Sequence, residues 1–85
     1  MNDVCKIGDG VGGSEKKLPD LYTLQQCIDA VRLQYPDANG ATMNLPCDGS
    51  ENGFDDVCEC YAEFGMTGWN SDQSWQSCIF SNGGK

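Results

Sequence analysis

The sequence predicts a small α+β domain, disulfide-rich, with one helix packed on a short antiparallel sheet. Six cysteines are spread through 85 residues, and an even count of this kind reads as a disulfide framework. One segment, 24–35, carries apolar residues at helical spacing, and another, 57–66, alternates with period two. No repeat or linker divides the chain, so residues 1–85 make a single stapled domain. A chain of this size buries only roughly 60–65% of the surface its unfolded form exposes. With 39% apolar residues the core is thin, and each native disulfide adds about 2–4 kcal/mol.

The elements follow in order. Residues 1–17 read as a short strand at Val4–Ile7 and then a mobile Gly-rich loop, GDGVGGSEKK. The helix comes next. Thr23 is its N-cap, and Gln26 three residues on completes a capping box. Leu24, Cys27, Ile28, Val31 and Tyr35 form its apolar face, Gln25, Asp29 and Arg32 lie off it, and Pro36 ends it. A turn at 37–40 leads to a strand at Ala41–Leu45, and 46–56 is acidic and rich in turn formers. In 57–66, Cys58, Cys60, Ala62, Phe64 and Met66 point to one buried face and Val57, Glu59, Tyr61 and Glu63 to the other. Gly65–Gln73 reads as a loop, Ser74–Phe80 as the last strand, and 81–85 as a frayed tail.

Composition excludes several functions. The net charge is −8, which argues against nucleic acid, whose phosphates need a basic face, and against an anionic membrane surface. Cations and basic protein partners are favoured instead. No apolar run reaches membrane-spanning length, so no membrane insertion is expected. A secreted form is expected to be the mature one, since no basic start with an apolar stretch is present. No Asn-x-Ser/Thr acceptor occurs. Histidine is absent, which removes the commonest general base and metal ligand.

The cysteines do not read as a zinc or redox site, because the one close pair is Cys58-Glu59-Cys60 and no C-x-x-C occurs. Three disulfides are expected instead, placing the protein outside the reducing cytosol, secreted and extracellular. A nested set is geometrically attractive. In it Cys5–Cys78 ties the terminal strands, Cys27–Cys60 ties helix to sheet, and Cys47–Cys58 closes the acidic loop. Exchanging Cys58 and Cys60 is the alternative, because both face one side.

Residues 48–59 match the twelve-residue Ca²⁺ loop of an EF-hand. Asp48, Ser50, Asn52, Asp56 and Glu59 would supply side-chain oxygens, Phe54 a backbone carbonyl, and Gly53 the sharp turn. Asp55 stands where an apolar residue is usual, cysteines bracket the loop in place of helices, and the 57–60 strand turns Glu59 away. A solvated acidic turn is the competing reading, and these faults favour it over Ca²⁺. A contact site for a sugar or a protein is expected at Trp69, Asn70, Asp72 and Tyr61, where large aromatics stand beside polar loop residues. Trp75 reads as core, and Trp69 stands open between a core plug and a contact residue. Nothing places Asp55, Asp56, Glu59 or Glu63 in an apolar pocket that would raise its pKa, and no nucleophile–base pair or phosphate loop is present, so no enzymatic activity is expected.

From residue 21 onward the order of features resembles the PAN/apple modules. The residues carrying the resemblance are the capped YTLQQCIDAV helix with Cys27, the NGAT segment at 39–42, the strand CECYAEF and the closing SWQSCIF. The Cys5–Cys78 pairing also looks like that family. Such helices carry a second cysteine four residues after the first, where this chain has Val31, and Cys47 would stand in for it. The resemblance implies a binding module for proteins or carbohydrates with no catalytic residues. The expectation is therefore a secreted, non-enzymatic recognition module for a protein or glycan, with Ca²⁺ supporting the 48–59 loop. A structural or adhesive matrix component, or a small secreted inhibitor or defence peptide, is the alternative.

Overall fold

The computed structural model describes residues 3–44 and 58–80. Its elements are β1 (Val4–Ile7), β2 (Gly10–Val11), β3 (Ser14–Tyr22), α1 (Leu24–Gln34), β4 (Gly40–Asn44), β5 (Cys58–Phe64), β6 (Gly68–Trp69) and β7 (Trp75–Ile79). Five strands form one sheet in the order β1-β7-β4-β5-β3, while β2 and β6 pair as a separate ribbon. Every pairing is antiparallel. The one helix among the described residues packs on this sheet, which makes the domain α+β.

The helix begins as its sequence dictates. The Thr23 hydroxyl accepts from the Gln26 N–H at 3.3 Å, and the Thr23 N–H donates to Gln26 Oε1 at 3.2 Å. Each partner satisfies a donor that a helix start would otherwise leave orphaned. The helix stops at Gln34, with Tyr35 as its C-cap. Its face of Cys27, Ile28 and Val31 is buried in one cluster with Leu18, Ala41, Met43, Cys60, Ala62, Cys78 and Phe80. Arg32, in the last turn, pairs with Asp3 and lies over the Phe80 ring.

Two disulfides tie this layer together. Cys27 of α1 is bonded to Cys60 of the inner strand β5, and Cys5 is bonded to Cys78, its direct partner across the β1–β7 pairing. Cys58 is disulfide-bonded as well; Cys47, its expected partner, lies outside the described residues.

Several elements differ from the sequence reading. The Gly-rich loop is structured: residues 10–11 form β2 and residues 14–22 form a nine-residue edge strand. Of β3 only Leu18 is buried, so no apolar alternation announces it. Its register against β5 slips between Lys17 and Leu21, a bulge that holds Pro19, which has no N–H to offer a ladder. Gly13 makes the turn into β3 possible. Its φ is +62°, and a Cβ there would sit 1.7 Å from the Phe64 carbonyl oxygen.

The segment 57–66 does not have one buried and one open face. Glu63, on the side opposite the cysteines, is only 1% exposed. Met66 does not continue the row of Cys58, Cys60 and Ala62. Gly65 turns the chain with φ +73°, and the Met66 sulfur lies against Gly10 instead. Trp75 is not core. It is half-buried and meets the Tyr61 ring edge-on at 5.7 Å.

Candidate functional site

Period two puts alternate residues of each strand on the sheet face away from the helix. The registers align Thr42 with Tyr61 and Ser77, Gly40 with Glu63, and Asn44 with Trp75. They also align Glu15 with Glu63 and Lys17 with Tyr61. This helix-free face has two halves.

The first half lies under the β2–β6 ribbon. Thr42 and Ser77 are fully buried there beside Glu63. Glu63 Oε2 and Thr42 Oγ1 are 2.6 Å apart, Thr42 Oγ1 and Ser77 Oγ are 2.8 Å apart, and Ser77 Oγ donates to the Gly8 carbonyl at 2.8 Å. Among the described residues no buried side-chain N or O lacks a partner. The ribbon's backbone seals this chain of contacts, since a Cβ on Gly10 would stand 3.0 Å from both Glu63 Cδ and Met66 Sδ. The Trp69 indole N–H donates to the Ser77 carbonyl at 2.7 Å, and Lys6 Nζ lies 4.7 Å from the indole centroid.

Carboxylate oxygens of Asp9, Glu15 and Glu63 all lie within 4.8 Å of one another. Burial pushes the Glu63 carboxyl up to about 7; the Thr42 hydroxyl, donating to the ionised carboxylate, opposes the rise, while Glu15, through a hydrogen bond and its charge, and Asp9 add to it. The Asp9 carboxyl is also raised, first by burial and then by Glu15. The sequence reading, which placed no carboxylate in a pKa-raising environment, is corrected here. Glu63 stood in a strand position facing away from the cysteines, and only the ribbon folding over it makes that position dry.

The second half is open. Tyr61 and Trp75 are half-exposed. Beside them Lys17 Nζ and Glu59 Oε2 form a 3.2 Å ion pair with both side chains well exposed. Tyr61 donates its hydroxyl proton to Glu59 Oε1 at 3.0 Å, and Asn44 Oδ1 accepts the Glu59 backbone N–H. Hydrogen bonding to Lys17, then to Tyr61, holds the Glu59 carboxyl below its ordinary value. Partial burial and the Glu59 hydrogen bond raise the Tyr61 phenol.

The expected contact residues divide between the halves. Tyr61 belongs to the open half. Trp69 and Asn70 belong to the ribbon, where Asn70 Oδ1 accepts from the Asp9 and Asp72 N–H groups, both at 2.9 Å. Asp72 Oδ1 accepts from the Ser74 N–H and shapes the turn into β7. Of the expected Ca²⁺ ligands, Asp48, Ser50, Asn52, Phe54 and Asp56 lie outside the described residues. Glu59 is described, and its carboxylate is held by Lys17 and Tyr61.

Sequence reasoning missed Asn39. Its side chain clamps one residue from both sides, donating to the Met66 carbonyl and accepting the Met66 N–H, each at 2.9 Å. The Asn39 N–H donates to the Glu63 carbonyl, which fixes the end of β5. A lone Asn before Gly reads as a turn, and nothing local points to its distant partner.

No family model matches this chain, and no curated protein or solved structure matches it. Among the described residues no helix is long and apolar enough to cross a membrane.

Proposed function

We infer that the protein is a secreted, non-enzymatic recognition module whose ligand, a glycan or a protein, is held on the open half of the helix-free face. One observation carries the reading. Tyr61 and Trp75 stand edge-to-face and half-exposed beside the Lys17–Glu59 pair and Asn44. Aromatic surface bordered by polar groups offers stacking area and hydroxyl or amide partners together. The disulfides agree with an oxidising compartment. The PAN/apple resemblance of the sequence implies a binding role of the same kind.

The test is a glycan array together with a pull-down screen, both run with and without Ca²⁺. The reading expects a ligand whose affinity falls at least about tenfold in Trp75→Ala and is unchanged in Leu33→Ala, on the exposed side of α1. Two results would sink it: no ligand in either screen, or a ligand indifferent to Trp75→Ala. Loss of binding when Ca²⁺ is withdrawn would assign the 48–59 loop a share of the site.

A further inference from the structure

The buried chain has three contacts and only two hydroxyl protons to fill them unless Glu63 carries one. The Gly8 carbonyl can only accept, so the one Ser77 hydroxyl proton is committed to it at 2.8 Å. The 2.8 Å Thr42–Ser77 contact then takes the one Thr42 proton. Nothing is left for the 2.6 Å contact between Thr42 and Glu63 unless Glu63 Oε2 carries a proton and donates it. A hydroxyl has one proton and a carboxylate has none. The chain is complete with a neutral Glu63, running from Glu63 O–H to Thr42 to Ser77 to the Gly8 carbonyl; with an ionised Glu63, Thr42 donates to Oε2 and the Thr42–Ser77 contact holds no proton. The chain joins β5, β4 and β7 to the residue at which β1 passes toward the ribbon.

We propose that the β2–β6 ribbon is a proton-held cover, closed while Glu63 is a neutral acid and released when Glu63 ionises.

Ionisation acts in two ways. Thr42 must turn its proton to the new carboxylate, so Ser77 either gives its own to Thr42 and abandons the Gly8 carbonyl, or faces Thr42 at 2.8 Å with no proton between them. One link breaks in either case, and a buried polar group loses its partner. The second effect is repulsion. The new charge appears beside Glu15 from β3 and Asp9 from the turn before β2. From β4 and β7 Glu63 meets Thr42 and, through it, Ser77, both neutral; Gly10 and Met66 complete the contacts described above it. Neither lysine described on this face is placed to compensate, since Lys17 is paired with Glu59 and Lys6 lies over Trp69. The least costly relief is to lift the ribbon, which is held by two cross-strand residue pairs and a few hydrogen bonds. The five-stranded sheet, held by the helix and two disulfides, stays. The raised Glu63 carboxyl, near 7, sets the release close to neutrality. This device does not depend on the recognition reading and would operate in a protein with no ligand at all.

The experiment is amide hydrogen exchange by NMR on the intact oxidised chain in a chelator, from pH 5 to 8.5, corrected for the intrinsic pH dependence of exchange. The Glu63 carboxyl carbon is titrated in the same samples. Protection of the Asp9, Thr67 and Asn70 amides and of the Trp69 indole N–H, each hydrogen-bonded in or beneath the ribbon, is expected to fall about tenfold per pH unit above the Glu63 midpoint, while amides of β4 and β5 keep theirs. Glu63→Gln keeps the shape and donates an amide proton to Thr42 at every pH, so its ribbon should stay protected throughout. Ser77→Ala removes the Gly8 contact and should leave the ribbon poorly protected even at pH 5. Ribbon protection independent of pH, the same fall in Glu63→Gln as in the native chain, or a Glu63 carboxyl titrating below pH 5 would overturn the proposal. The last measurement needs only the native protein, so it decides even if a variant fails to fold.

Discussion

The helix face of the central sheet and the ribbon-covered half of its other face are both dry, and they are dry for opposite reasons. The helix face is closed by Cys27, Ile28, Val31, Leu18, Met43 and Phe80, with a covalent bond from Cys27 to Cys60. Burial there is apolar and non-directional, and it needs no particular protonation state. The ribbon face is closed over Glu63, Thr42 and Ser77, all at most 1% exposed. Burial there depends on each polar atom finding a partner, because an unmade buried hydrogen bond costs more than a made one contributes. A small domain with a thin core thus has one face stabilised by contact area and a second whose closure is conditional on a proton.

Breaking the helix face should have the largest effect. Removing the Cys27–Cys60 bridge by a double Ser substitution is expected to cost about 2–5 kcal/mol and to unfold both faces together, as measured by urea denaturation. Loss of the ribbon alone would mean that the helix face does not depend on this bridge.

The next effect sharpens the contrast through pH. The Glu63 carboxyl is raised in the folded protein from its ordinary 4.5 to about 7, so the folded state holds a proton that the unfolded state has released. The stability from this group is fully present below pH 4.5 and is lost as pH rises through about 7. The slope is no steeper than about 1.4 kcal/mol per pH unit. The total loss is expected to be on the order of 2 kcal/mol, since Glu15 shares the proton's field. Denaturant midpoints from pH 4.5 to 8 measure this fall, and Glu63→Gln should flatten it.

Thr42→Val comes third. It keeps the shape but removes the middle link between Glu63 and Ser77. Leaving their buried atoms without this partner is expected to cost about 1–3 kcal/mol and to leave the Cys27–Cys60 bridge in place. Thermal melting with a count of free thiols checks both parts. The smallest effect belongs to the open half. Lys17→Ala should leave the melting temperature unchanged within error, because the Lys17–Glu59 pair is well exposed. It should still move the Glu59 carboxyl up toward its ordinary value, since Lys17 is the first cause of its depression. NMR titration of Glu59 reads that shift.

Local signals carried much of the helix face. Thr23 and Gln26 announce a helix start because capping acts over three residues, and the spacing of Cys27, Ile28 and Val31 places a buried stripe on its own. Cys58, Cys60 and Ala62 mark a strand face by simple alternation. The conversion of Glu63 from a surface acid into a buried one with a raised pKa left no such mark. It needs Gly10 close enough to leave no room for a Cβ, Met66 turned by Gly65, and Asn39 clamping Met66, all from distant parts of the chain. The edge strand β3 escaped for a related reason: its residues are almost all exposed, and pairing with β5 alone makes it a strand.

The sequence by itself determined the α+β class, the capped helix and the surfaces destined for the apolar core, because capping and hydrophobic periodicity act between near neighbours. The tertiary structure alone decided that Glu63, Thr42, Ser77 and Gly8 form one proton-dependent chain, since a desolvated carboxyl is created by what packs on top of it and not by the residues beside it.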